Sequence, residues 1–408
     1  MARVSKQRCS FCPNYKDDVK QLFAGPKRTV NSVKVTSYIC NECIIVGYKA
    51  IKNNAKSLKT TEIPQEPSLT PEEIKRQLDL HIVGQDHAKQ ILSVSMYNHI
   101  KRINHPCVDG VDIDKSNIMI MGPSGCGKTH MVSTMAKIMS LPYVLADSTS
   151  MTEAGYYGND VESIFERLYK NSGYDLARAQ KGIVFIDEID KKTNKTQGQS
   201  VKDVSGEGVQ QALLRMIEGD VVRIASGKKG EMEVDFNTKN VLFIVGGAFV
   251  GIDKIIEKRI HHGGRMGFGA VLKDTESLNQ GSDFITAQVD PEDIYEFGFL
   301  REFVGRFPII VPFHTLNEEH LIKVLTEPKS SLIAQFKAMF KIEGIDLIFT
   351  DEFMHYIAQT SFKRKTGARG LRSMLEKTLS DVQFKLPTLK KEGIKTITVE
   401  PDGSITYI

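Results

Sequence analysis

The chain has little charge imbalance, few cysteines and no long apolar run, and each shortage closes off a class of function. Its 54 Lys and Arg stand against 50 Asp and Glu, a formal net charge of +4. So even a balance argues against nucleic acid or an anionic membrane as the main partner. The longest apolar run, 241–252, is twelve residues long and holds three glycines. That is too short to span a bilayer and reads as a buried core segment. The opening MARVSKQRCSFCP is basic, but no apolar stretch follows it, so neither a secretory signal nor an Arg-rich transit peptide is expected. The expected location is the cytoplasm, where the six cysteines would not form structural disulfides. The sequence has no internal repeat, no low-complexity tract, and no G-x-S-x-G or H-E-x-x-H motif of a protease.

What is present is an ordinary globular composition, 41% hydrophobic and 25% charged, on a chain long enough for two or three domains. Residues 1–48 hold two cysteine pairs. Residues 49–66, rich in Lys, Thr, Asn and Pro, read as a linker. A helix start follows, with Thr70 as N-cap, Pro71 at the first helical position and Glu73 closing a capping box. From 67 to about 314, apolar runs alternate with helical patterns, the mark of an α/β domain built on a parallel sheet. The runs 116–121, 182–186 and 240–245 read as buried strands. Val209, Ala212, Leu213, Met216 and Ile217 fall on one helical face. The block 315–408 shows long helical patterns (319–341, 351–362, 368–385) and two strand-like pieces, IDLIF and TITVE.

Cys9-x-x-Cys12 and Cys40-x-x-Cys43 each place two thiolates within reach of one ion. Two such pairs complete a closed four-thiolate zinc shell, structural rather than catalytic; a redox pair is the competing reading. In so small a module the metal would drive folding. The 27 residues between Cys12 and Cys40 exceed the spacing of common zinc ribbons.

GPSGCGKT, Gly122-Pro123-Ser124-Gly125-Cys126-Gly127-Lys128-Thr129, fits G-x-x-x-x-G-K-[ST] between a strand pattern and a helical one. Glycines let backbone N–H groups wrap phosphates at a helix N-terminus. Lys128 is expected on the β/γ phosphates of ATP and Thr129 on Mg²⁺. GIVFIDEID ends a buried strand in Asp187 and Glu188. Charge at a strand end needs a cation or hydrogen bonds nearby. Asp187 is the expected Mg²⁺ partner and Glu188 the base that orients the attacking water. Arg369, in TGARGLR, opens a helix with Thr366 as expected N-cap. A cation there opposes the helix dipole, which suggests either function or a salt bridge.

These residues, with MTEAGYYGNDVE, DVSGEGVQQALL, GGAFVGIDKII, EFVGRFPI and KTGARGLRS, resemble the ClpX family from Cys9 to about Pro387. That family comprises zinc-bearing AAA+ unfoldases that feed a separate ClpP-type peptidase. The resemblance implies a large P-loop AAA+ domain over 67–314 and a small, mainly helical AAA+ domain over 315–408, behind the zinc module. It implies a homohexamer, protein substrates carrying exposed tags, and adaptors at the zinc module. It places Ile82 and Val83 of HIVGQ near the adenine, Arg306 as an arginine finger acting on the neighbouring subunit, and Arg369 as the sensor-2 arginine. Tyr156 and Tyr157 of GYYG match the first pore loop, which grips a threaded chain, and Lys202 and Asp203 match the second.

The segment HHGGRMGFGA holds out a Met and a Phe among glycines, which is costly unless they enter a pocket elsewhere. Met266, Gly267 and Phe268 match the family's peptidase-docking tripeptide. Several positions depart from the family pattern. Tyr157 replaces an aliphatic residue and Met266 a branched one. Arg301 stands where proline is common, and the Arg-Lys-His of the pore mouth is replaced by Lys228 and Lys229 without histidine. About nine surplus residues, KRTVNSVKV or nearby, lie between Cys12 and Cys40. Two other readings stay open: a remodelling chaperone without a peptidase, and a zinc-bearing nucleic-acid motor, against which the charge balance argues.

Overall fold

A computed structural model describes residues 8–25, 28–30, 33–45, 69–151, 162–193, 204–226, 232–262, 282–401 and 403–408. The chain divides into two compact units, Met1–Glu62 and Ile63–Ile408. In the first, strands Leu22–Ala24 and Tyr38–Cys40 pair antiparallel, as do Arg28–Val30 and Val33–Val35. Residues 28–30 and 33–35 of the KRTVNSVKV stretch form that second pair. Among the described side chains of this unit only those of Cys9 and Cys40 are buried.

The second unit is built on five parallel strands: β1 (Ile118–Met121), β2 (Tyr143–Asp147), β3 (Ile183–Asp187), β4 (Leu242–Gly247) and β5 (Ile309–Pro312). Their order across the sheet is β5-β1-β4-β3-β2. Alternate side chains face opposite ways. Ile118, Ile120, Phe185 and Ile244 pack on one side against the helices α1 (Pro71–Asp79), α2 (Asp86–Asn104) and α3 (Lys128–Ile138). Met119, Met121, Val184 and Val245 pack on the other, with Val209, Leu213 and Ile217 of α4 (Val204–Glu218). Burial on both faces is why these strands read as unbroken apolar runs.

The expected strand over 116–121 begins at Ile118. Asn117 is used otherwise: its buried amide donates to the Arg306 carbonyl (3.0 Å) and accepts from the Phe243 N–H (3.2 Å). The helix start at Thr70 forms as expected. Thr70 Oγ1 accepts from the Glu73 N–H, and the Glu73 carboxylate accepts from the Thr70 N–H (2.9 Å). Such a cap contributes about 1 kcal/mol.

The third block packs around its own core of Leu321, Phe336, Phe340, Phe353, Leu371, Leu375 and Ile397. The pattern over 319–341 is two helices, α5 (Glu318–Thr326) and α6 (Leu332–Ile342), rather than one. Pro328 interrupts it, and Ser331 restarts the helix by accepting from the Ala334 N–H. After α7 (Asp351–Lys363), the last helix, α8 (Ala368–Lys391), runs past its expected end at 385 and through Pro387. Leu386 and Leu389 are drawn into the core there, and their burial offsets the lost hydrogen bond. IDLIF and TITVE become β6 (Asp346–Phe349) and β7 (Thr396–Val399), paired parallel. A third strand, β8 (Ile405–Tyr407), joins β7 antiparallel. Among the described residues no helix is long and apolar enough to cross a membrane.

Candidate nucleotide and metal sites

Strands β1, β3 and β4 end on the same edge of the sheet, the usual ligand-binding edge of such folds. There the phosphate loop bends from β1 into α3. Its glycines take the backbone the turn requires: φ is +154° at Gly122, +79° at Gly125 and +98° at Gly127. A methyl on Gly122 would lie 2.6 Å from the Phe313 carbonyl oxygen, whereas one on Gly127 would meet nothing within 4 Å. Gly127 caps α3 without any side-chain hydrogen bond, so the first N–H groups of the helix are not taken by a cap. The buried Lys128 donates to the carbonyls of Gly122 (2.6 Å) and Pro123 (3.0 Å), its stem lying under the loop. Thr129 Oγ1 donates to Asp187 Oδ2 at 2.8 Å, while Asp187 Oδ1 accepts from the Glu188 N–H (2.9 Å). A hydroxyl and a carboxylate at hydrogen-bond distance beside a phosphate cradle are the oxygen donors Mg²⁺ takes together with a nucleotide. The residues present therefore fit a Mg²⁺–nucleoside triphosphate. Burial pushes the Cys126 thiol upward, which makes it a packing residue and not a nucleophile.

A cavity of about 910 Å³ opens from this loop and is closed on the far side by the small domain. Ile82, Val83 and Ile138 line it from the large domain, and Leu316, Val324 and Leu332 face them. That apolar slot suits a flat base, and the polar end holds Lys128, Thr129, Asp187 and Glu188. Glu188 is exposed in the cavity and held at φ +58°, a strained conformation for a non-glycine residue. Its carbonyl accepts from Ser148 Oγ (2.7 Å), which pins the turn. His130 also lines the cavity, and burial holds its imidazole below the ordinary range.

The small domain touches the phosphate loop directly. The Ala368 N–H donates to the Gly125 carbonyl (3.1 Å), and Arg369 donates to Ser124 Oγ (3.3 Å). The expected N-cap, Thr366, does not cap α8. Gly367 takes that place at φ +58°, and Thr366 Oγ1 bonds to Ser361 instead. The reason is the contact itself, for a methyl on Gly125 would lie 2.5 Å from the Thr366 carbonyl oxygen.

Arg306 does not line the cavity. It is half exposed and paired with Glu218 at the end of α4. Sequence reasoning overlooked three groups here. Asp190, buried against Gly247, accepts from the Phe249 N–H; the close glycine pair after VLFIV was its only signal. The Gly125–Gly367 contact and Gln85 of HIVGQ were the others. Tyr156, Tyr157, Lys202, Asp203, Lys228, Lys229, Met266, Gly267 and Phe268 lie outside the described residues.

In the N-terminal unit the four sulfurs of Cys9, Cys12, Cys40 and Cys43 lie within 4.8 Å of one another. Cys12 and Cys40 stand 3.6 Å apart, Cys9 and Cys43 4.0 Å. Four sulfurs each about 2.3 Å from one ion would stand about 3.8 Å apart, so the set fits tetrahedral zinc. Desolvation raises the Cys9 thiol, but N–H groups of Phe11 and Cys40 aimed at its sulfur outweigh this and bring it to about 6. Desolvation and the neighbouring thiols drive Cys43 to about 12. A shell that favours the thiolate at Cys9 and resists it at Cys12 and Cys43 calls for a cation.

Comparison with known proteins agrees with this geometry. Residues 113–310 match the family described as AAA domain (Cdc48 subfamily), and residues 316–399 match the C-terminal, D2-small domain of ClpB protein. With the phosphate loop, the acidic end of β3 and the small domain closing the cleft, the chain is an AAA+ ATPase that uses ATP and Mg²⁺. Residues 7–53 match the ClpX C4-type zinc finger, which makes the four-cysteine site a zinc site. The chain is 38% identical to the ATP-dependent Clp protease ATP-binding subunit ClpX 3 of Methylococcus capsulatus over 97% of this chain and 92% of that one. It belongs to the ClpX family.

Proposed function

We propose that the chain is an ATP-driven unfoldase that threads tagged proteins through a homohexameric pore into a separate ClpP-type peptidase in the cytoplasm. The observation that carries the ATP step is the Thr129–Asp187 pair at the foot of a cleft shared by both domains. Lys128 and the loop N–H groups of 122–129 hold the phosphates, and Ile82 and Val83 hold the base. Thr129 and Asp187 would hold Mg²⁺, which neutralises charge on the phosphates. Glu188 takes a proton from the attacking water. Arg369, already on the phosphate loop, reports nucleotide state to the small domain, and Arg306 leaves Glu218 to reach the neighbouring subunit's ATP. Working domain limits are 1–48, 67–314 and 315–408, joined by the linker 49–66.

Tyr156 and Tyr157 grip the threaded chain by packing rather than by sequence. Met266, Gly267 and Phe268 dock on the peptidase, six weak tips acting by avidity. The zinc module takes adaptors. Full-length protein with Tyr156→Ala tests the threading step. It is expected to keep ATPase activity and lose unfolding of a stable tagged substrate; unchanged unfolding would remove the gripping role. Phe268→Ala is expected to keep unfolding and lose peptidase-dependent degradation. If no degradation appears with the unaltered chain and a ClpP-type peptidase, the protein is a remodelling chaperone instead.

A further inference from the structure

Gln85 begins α2 but does not cap it: its backbone is left-handed (φ +59°) and its side chain makes no cap bond. The amide turns away from its own helix and is buried. Nε2 donates to the His314 carbonyl (2.7 Å) and Oε1 accepts from the His314 N–H (3.0 Å). One side chain thus satisfies both backbone groups of a single residue, as a paired strand would. The second hydrogen of Nε2 points toward the Cys126 carbonyl in the phosphate loop, at 3.5 Å, the limit of a hydrogen bond.

His314 is where the chain leaves the large domain. Before it, the Phe313 N–H donates to the Met121 carbonyl (2.7 Å), and the Phe313 carbonyl lies against Gly122. After it, the Thr315 N–H donates to Asp283, and Leu316 enters the small-domain core. The crossing segment is therefore held from three sides. Besides the backbone contact of Phe313 with Gly122 at its start, the loop that would carry phosphate is reached from this crossing by the Gln85 side chain, at Cys126.

We propose that Gln85 is a positioning residue that ties the domain crossing at His314 to the state of the phosphate loop. The inference rests on reading the cavity as the ATP site. A nucleotide that draws the loop N–H groups onto its phosphates rotates the neighbouring peptides, Cys126 among them. Nε2 shares its two hydrogens between Cys126 and His314, so a shift of one acceptor changes the grip on the other. The small domain, which starts at the next residue, turns with it.

The test is hydrogen exchange of the segment 312–317 in the full chain, with and without a non-hydrolysable ATP analogue, beside steady-state ATPase kinetics. The unaltered chain should show nucleotide-dependent exchange at 312–317. Gln85→Met, close in length and without polar atoms, should raise exchange there and abolish its nucleotide dependence. Its kcat should fall about tenfold with KM changed less than about threefold, since phosphate and base contacts are untouched. Gln85→Glu keeps the acceptor for the His314 N–H but loses both donors. It should retain more protection at 312–317 than Gln85→Met while remaining nucleotide-insensitive, and it carries the test if Gln85→Met fails to fold. A nucleotide response of normal size in a folded Gln85 variant would overturn the proposal, even if overall exchange rose. Failure of the unaltered chain to bind the analogue would instead overturn the ATP-site reading, which separates the two.

Discussion

Replacing Gly367 by alanine strikes a close backbone approach between the small domain and the phosphate loop. Gly367 sits at φ +58° and ψ −151°, a region essentially confined to glycine, where another residue costs about 1–3 kcal/mol. The added methyl would also lie 2.8 Å from the Gly125 carbonyl oxygen and 2.9 Å from its carbon. Both contacts are backbone, so relief means moving the phosphate loop off Thr366 and Ala368. Overpacking of this kind costs roughly 1–3 kcal/mol more. A total of about 2–6 kcal/mol loaded on one contact corresponds to a loss of roughly 30-fold or more in affinity for a ligand that needs the loop in place. Gly393→Ala is the control. Its φ is +83°, but a methyl there meets nothing within 4 Å, so it carries backbone strain without the collision. Titration with a fluorescent ATP analogue, beside thermal unfolding, reads both effects. Gly367→Ala should lose nucleotide affinity sharply with a modest drop in Tm, and Gly393→Ala should bind nucleotide normally. If Gly367→Ala binds within about threefold of the unaltered chain, the contact does not support the loop and the reasoning fails.

Further predictions concern the other groups. Glu188→Gln should bind ATP as well as the unaltered chain, with turnover reduced at least about 100-fold; normal turnover would remove Glu188 as the base. Chelating zinc should unfold residues 1–48, whose buried described side chains are two of the ligands, while ATPase activity persists; far-UV circular dichroism of the isolated module and the ATPase rate of the full chain read the two parts. Burial and the Arg102 charge lower Lys115 to about 7. The unfolded chain then holds more protons between pH 7 and 10, so stability from this group rises across that window and its penalty is complete below pH 7. The advantage of Lys115→Met in urea unfolding should shrink by about 2–3 kcal/mol from pH 6.5 to pH 9; a constant difference would show that Lys115 stays charged.

Much of this architecture was legible because it rests on local patterns. Strands buried on both faces leave unbroken apolar runs, as at 182–186, and a capping box needs only Thr70, Pro71 and Glu73. The phosphate loop and the acidic strand end carry their chemistry in adjacent residues. What escaped the sequence depends on residues far apart in the chain. Strand β2 borders the sheet on one edge only and, with Tyr143, Leu145 and Asp147 alternating against buried Val144 and Ala146, shows no continuous run. Thr366 looked like a cap because nothing nearby reveals that Gly125, over 240 residues earlier, must fit against it. Gln85 looked like an ordinary polar residue ahead of a helix, since its partner lies 229 positions on. The long helix through Pro387 shows local propensity overridden by two buried leucines.

The central claim is that ATP hydrolysis in this cleft drives mechanical unfolding. The most direct measurement is the fluorescence of a stably folded, tagged green fluorescent substrate mixed with the full-length chain and a substrate trap, with no peptidase present. The account predicts loss of fluorescence with ATP and Mg²⁺ and none with ADP or with a non-hydrolysable analogue. Sustained ATP turnover with fluorescence unchanged, across substrates whose tags are shown to bind, would contradict it.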